Sequence, residues 1–215
     1  MKNQNWQDDY WLLLMQLYLH KPVGVKPLYS KPMVDLSLEL HIAPEQLQAR
    51  MNQIARLETP RIERIWEEFS RNPKRLTRAV QLLRNMIGFN SSGEFYEGVE
   101  VEETFERDFR PLAEDSRLTP MMLILILDLY FQLTPITMVA ETPEVQQLAR
   151  LMRQPVQLIV EVLTVFQYCD PCLTRKNKSD SPLTEPCQQI WRRYGNMDTL
   201  QLTAYANQLK AYFQS

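Results

Sequence analysis

The stretch VDLSLELHIAPEQLQARMNQIARL, residues 34–57, reads as two short helices joined by a tight turn. Val34, Leu38, Leu40, Leu47, Met51 and Ile54 recur at spacings that bury one side of each helix. Ala43 stands before a proline and so disfavours helix, while Pro44 suits the first position of a new one. On the second helix Gln46, Ala49, Asn52, Gln53 and Arg56 point away from the buried side. Asn and Gln pair with adenine edges and Arg with guanine or phosphate, so this face has the chemistry to read a major groove. A helix, a sharp turn and a second helix is also the shape that places such a face there.

The same pattern returns later in the chain. Shifted by 111 positions, Pro32–Pro60 meets Pro143–Pro171 without a gap. Pro32, Val34, Leu40, Pro44, Gln46, Leu47 and Pro60 then fall on Pro143, Val145, Leu151, Pro155, Gln157, Leu158 and Pro171. Upstream, with the shift relaxed by one, Leu17-Tyr18 falls on Leu129-Tyr130. Downstream, Ile65-Trp66-Glu67-Glu68-Phe69 matches Ile190-Trp191-Arg192-Arg193-Tyr194 across a longer loop. The expected fold is all-α: a tandem repeat of a four- to five-helix module containing a helix-turn-helix-like element. The first repeat is expected over 1–87, an acidic linker over 88–118, and the second repeat over 119–215.

Composition agrees with helices. Only 5 of 215 residues are glycine, and the strand signature of glycine turns and β-branched alternation is rare. Helices are expected at 11–19, 34–41, 44–56 and 63–70, with another from Pro73, and the proline-rich 21–32 is expected to be extended. In the second half they are expected near 120–133, 143–153, 155–168, 186–195 and 198–213. The N-terminus carries Asp8-Asp9 and no cleavable signal, and the apolar run Met121–Leu127 is far shorter than a membrane span. A cytoplasmic protein is expected.

Net charge is −2, which gives no global attraction to polyanions. The charge is uneven, however. Residues 50–84 hold nine basic side chains against four Glu, and 94–118 hold nine acidic ones against three Arg. The basic run supplies either phosphate contacts or a solvated surface. In the second repeat the equivalent helix, PVQLIVEVLTVFQY (155–168), is apolar on both faces. Val156, Val160 and Leu163 there replace polar or small positions, so this helix is expected to pack on the other repeat, a homodimer mate or a protein partner.

Catalytic and metal signatures are missing from the sequence. Cys169 and Cys172 form C-x-x-C with Cys187 fifteen residues on, but no fourth Cys or nearby His completes a zinc set. His20 and His41 are read as helix-end residues, and no phosphate loop, nucleophile elbow or zincin motif occurs. Trp66 and Phe69, like Trp191 and Tyr194, are read as core aromatics rather than a base-stacking platform. No enzyme, metal or cofactor is expected.

These residues resemble a small helical module that precedes the nuclease domain of many bacterial HNH endonucleases. The likeness rests on Leu17-Tyr18, Pro32-x-Val34, Leu40, Leu47, Asn52, Pro60, Ile65–Phe69 and Leu76–Leu83. The second half adds Leu129-Tyr130, Pro143-x-Val145, Leu148-Ala149, Leu151, Pro155, Asp170-Pro171 and Ile190-Trp191. It implies DNA association without catalysis, since no HNH motif is present and only two His exist. The expected function is a DNA-binding, transcription-regulator-like protein that binds duplex DNA through Gln46, Asn52, Gln53 and Arg56. Arg61, Arg64, Arg71, Lys74, Arg75 and Arg78 would touch phosphate. The alternative is a helical protein-interaction scaffold or oligomerisation module.

Overall fold

A computed structural model describes residues 6–86, 105–173 and 180–214. Those residues form eleven α-helices and one 3-10 turn, with no strand among them. The chain divides into two compact units near residue 101.

The first unit holds α1 (Tyr10–Leu19), α2 (Lys31–Leu40), α3 (Pro44–Arg56), α4 (Pro60–Phe69) and α5 (Pro73–Arg84). Four of the five open with proline in the first turn, where a missing N–H costs nothing. This is why α2 begins at Lys31 and α4 at Pro60, each three residues earlier than apolar spacing implies. Thr59 and Asn72 cap α4 and α5, accepting from the backbone N–H of Ile62 and Arg75. α1 is the hub: Leu13, Leu14 and Met15 are buried, and α3, α4 and α5 all pack on it. Trp66 meets Tyr18 edge-to-face at 6.0 Å and Phe69 is buried, so these aromatics serve the core.

The second unit contains α6 (Glu106–Phe109), α7 (Pro120–Gln132), α8 (Pro143–Met152), α9 (Val156–Cys169), α10 (Thr184–Tyr194) and α11 (Thr199–Lys210). α7 is its hub, packed on by α6, α8, α9, α10 and α11 and buried continuously from Pro120 to Tyr130. Asp128 lies inside at 2% exposure and accepts a 2.6 Å hydrogen bond from Thr203 Oγ1. Trp191 meets Tyr130 edge-to-face at 5.7 Å, and Tyr194 stacks on Tyr205.

Residues 105–118 do not act as linker. Phe109 packs on Tyr212, and the half-exposed guanidinium of Arg193 grips the buried Asp108 carboxylate at 2.7 and 2.8 Å. That pair raises the Arg193 pKa through its hydrogen bonds. The remainder of the expected linker, 88–104, lies outside the described residues.

The turns after α2 and α8 share local features at positions 112 apart, one more than the shift of 111 at which the sequence aligns with itself. His41 and Arg153 both adopt the left-handed conformation, at φ 54° and 55°. The helices they close restart at Pro44 and Val156. Ile42 N–H donates to Ser37 O and Gln154 N–H to Ala149 O, each bond reaching back five residues. Burial follows the same register: Met33, Leu36, Ser37 and Leu40 against Val145, Leu148, Ala149 and Met152. The shift of 111 scores on prolines, which can stand one step apart at a helix start and still serve it.

A left-handed conformation costs a non-glycine residue about 1–2 kcal/mol. Arg153→Gly is expected to raise stability by roughly 0.5–1 kcal/mol, after about 0.4–1 kcal/mol is lost to the freer unfolded chain. Arg153→Val is expected to lower it. Urea midpoints at constant m-value check both, and a lower midpoint for Arg153→Gly rules the strain out.

Candidate nucleic-acid interface

α3 packs on α1 and α2 through Leu47, Met51 and Ile54. Its outer row is therefore presented to solvent by helical geometry alone. Gln46, Asn52 and Arg56 are exposed, and none bonds to another described residue through its side chain. Gln53 is half-buried and accepts from Arg50 Nη1 at 3.4 Å. Arg50 lies over the rings of Trp6 and Trp11, 5.0 and 5.8 Å from their centroids, and is committed to the core edge. Glu45, in the first turn of α3, accepts a 2.8 Å hydrogen bond from the Tyr29 hydroxyl.

The basic run separates into two groups. Arg61 approaches Asp8 at 3.6 Å, Arg75 pairs with Glu68 at 2.7 Å, and Arg84 grips Glu39 with two bonds of 2.6 and 2.8 Å. Arg75 also lies over the Phe69 ring. Arg64 donates to Pro60 O in its own helix. Together with Arg61 it lines a groove of about 310 Å³ whose other walls include Asp8, Asp9, Glu68 and Ile65. The second group comprises Arg56, Arg71, Lys74 and Arg78, all exposed and with no ion pair among the described residues. α5 itself carries no acidic residue.

Of the carboxylates that take up the first group, Glu39 was not singled out from sequence. Glu39 lies 45 positions from Arg84, and nothing local announces such a partner. Surface pairs of this kind are worth about 0.2–1 kcal/mol. Arg61 and Arg75 are thus retained by weak bonds rather than locked.

The second unit corrects one expectation. Leu163 is 0% exposed, covered within its own unit, where α9 packs on α7, α8 and α10. Val156 and Val160 are half-buried. The helix is apolar on several faces because three neighbours cover it, and Leu163 offers nothing to another chain.

Cys187 is buried, Cys169 half-buried and Cys172 exposed. Burial pushes the Cys169 thiol up to about 11 and raises Cys187 as well. Among the described residues no three His, Cys, Asp or Glu side chains gather as a metal would need, and no helix is long and apolar enough to cross a membrane.

Comparison with protein-family models, curated proteins and solved structures finds no match to this chain.

Thiolate is the reactive form, and a thiol with pKa about 11 is roughly one part in a thousand thiolate at pH 8. With an aromatic disulfide reagent at pH 8, the folded protein should release one equivalent promptly, from Cys172. The other two should follow only on unfolding in urea. Prompt release of three equivalents refutes this arrangement of the thiols.

Proposed function

We propose that the chain is a non-enzymatic, transcription-regulator-like protein that binds duplex DNA through its first unit. Its two units would be copies of one five-helix module. The shared register of caps, buried positions and Tyr–Trp pairs supports that reading, as does the resemblance to the module that accompanies HNH nucleases. α3 would lie along the duplex with Gln46, Asn52, Gln53 and Arg56 toward it. The basic side chains of α4 and α5 would neutralise phosphates.

The observation that carries the proposal is the set of four exposed, unpaired cations, Arg56, Arg71, Lys74 and Arg78, on a protein of net charge −2. A fold that paired its charges for stability alone has acids to spare, 26 against 24 basic residues. Cations left open in that setting suit an anionic partner.

A second reading, a helical scaffold for another protein, draws on the three arginines taken up by Asp8, Glu68 and Glu39. It predicts no affinity for DNA.

Fluorescence anisotropy with a mixed-sequence duplex separates the two. Four phosphate contacts give a log–log salt slope of about −3.6, so binding should weaken roughly 100-fold between 50 and 200 mM salt. Absence of binding at 50 mM salt overturns the DNA proposal and favours the scaffold.

A further inference from the structure

We infer that the first unit holds duplex DNA by phosphate contacts from α5 and from Arg71, two residues ahead of it, without reading bases through α3. This rests on the DNA-binding reading and specifies how that binding works.

The first argument is a comparison within the molecule. α5 buries Leu76, Val80 and Leu83, and α11 buries Leu202, Ala206 and Leu209 at positions 126 further on. Their caps also agree: Asn72 accepts from Arg75 N–H, and Asp198 from Gln201 N–H. The outer faces do not agree. At the positions of Arg71, Lys74, Arg75 and Arg78 the second unit has Met197, Leu200, Gln201 and Ala204. Leu200 is 79% exposed. Similar helix frameworks thus carry, at these four positions, four cations in the first unit and none in the second. Neither folding nor exposure demands cations there, so the solvated-surface explanation of the basic row loses its force.

The second argument is local charge. Lys74 and Arg78 are four residues apart on one face of α5, a rise of about 6 Å, with Arg71 just ahead of the Asn72 cap. No acid lies on α5. Glu68, on α4, pairs with Arg75, and the other three cations make no ion pair among the described residues.

The third argument concerns α3. A recognition helix presents its N-terminal residues to the base edges. Here that turn carries Glu45, oriented by Tyr29. A fixed carboxylate entering between two phosphate rows is repelled by both and can only accept, from the amino groups of cytosine or adenine. Asn52 and Arg56, the better readers, stand at the far end of the helix.

The test uses the full chain, three 20-base-pair duplexes of unrelated sequence, and anisotropy at 50 and 200 mM salt. The wild type should bind the three duplexes with affinities within about twofold of one another. Arg71→Gln/Lys74→Gln/Arg78→Gln should bind at least ~100-fold more weakly at 50 mM salt, with a slope shallower by about 2.7. Arg71→Lys/Arg78→Lys should bind as the wild type does, because a phosphate needs the charge and not the guanidinium fork. Gln46→Ala/Asn52→Ala should weaken binding to all three duplexes alike, by no more than about threefold, and so leave the ratios among them unchanged. A tenfold preference among duplexes that this α3 variant abolishes overturns the inference while leaving DNA binding intact. Undiminished binding by the triple Gln variant does the same. Failure of the wild type to bind any duplex at 50 mM salt overturns the DNA-binding reading itself.

Discussion

Each unit is organised by one constraint: an apolar helix with no polar face must be covered on every side. α1 and α7 are such helices. An ordinary amphipathic helix is satisfied by one neighbouring layer, but these two need a ring. Burying one Leu, Ile or Met side chain contributes about 1.5–3 kcal/mol. α7 buries nine apolar residues between Met121 and Tyr130. Covering such a hub demands several helices arriving at different angles, so the chain between them must turn sharply and often.

The turns follow from that demand. With so few glycines available, the left-handed positions fall to His41, Leu57 and Arg153. The carbonyls they free are recaptured by backbone N–H groups five residues on, and prolines restart the next helix at once. The result is a series of short helices whose outer faces carry few structural obligations. Those faces are where the two units diverge, and divergence there costs the core nothing.

What could be read from the chain divides along the same line. Helix starts at Pro44, Pro73, Pro120 and Pro143 were legible, because proline position is a local signal. The sequence aligns with itself at 111 because proline tolerates either of two adjacent places at a helix start, whereas the caps and buried positions of α2 and α8 correspond at 112. For Leu163 the sequence leaves the other repeat or another chain as the cover, because a helix apolar on two faces says only that both faces are covered, not by what. The pairing of Arg61, Arg75 and Arg84 was not legible at all, since each carboxylate lies on another segment. For the candidate interface, sequence identified which side chains are exposed on α3 and α5 but not which cations are free.

That last distinction bears on function through energy scale. A surface ion pair contributes at most about 1 kcal/mol, whereas a cation meeting a phosphate row releases condensed counterions and gains affinity as salt falls. Arg61 and Arg75 can therefore be drawn from Asp8 and Glu68 by a polyanion at little cost, while no such exchange is needed for Arg71, Lys74 or Arg78. Free cations on α5 would set initial attachment, and paired ones on α4 would add grip once the duplex is near. On the proposed reading, an acidic protein organised this way would attach to DNA first through its one run of free cations, and its overall negative charge would oppose other orientations on the duplex. With Met197, Leu200, Gln201 and Ala204 where the first unit has Arg71, Lys74, Arg75 and Arg78, α11 would take no share in that attachment, and the proposed binding would fall to the first unit alone.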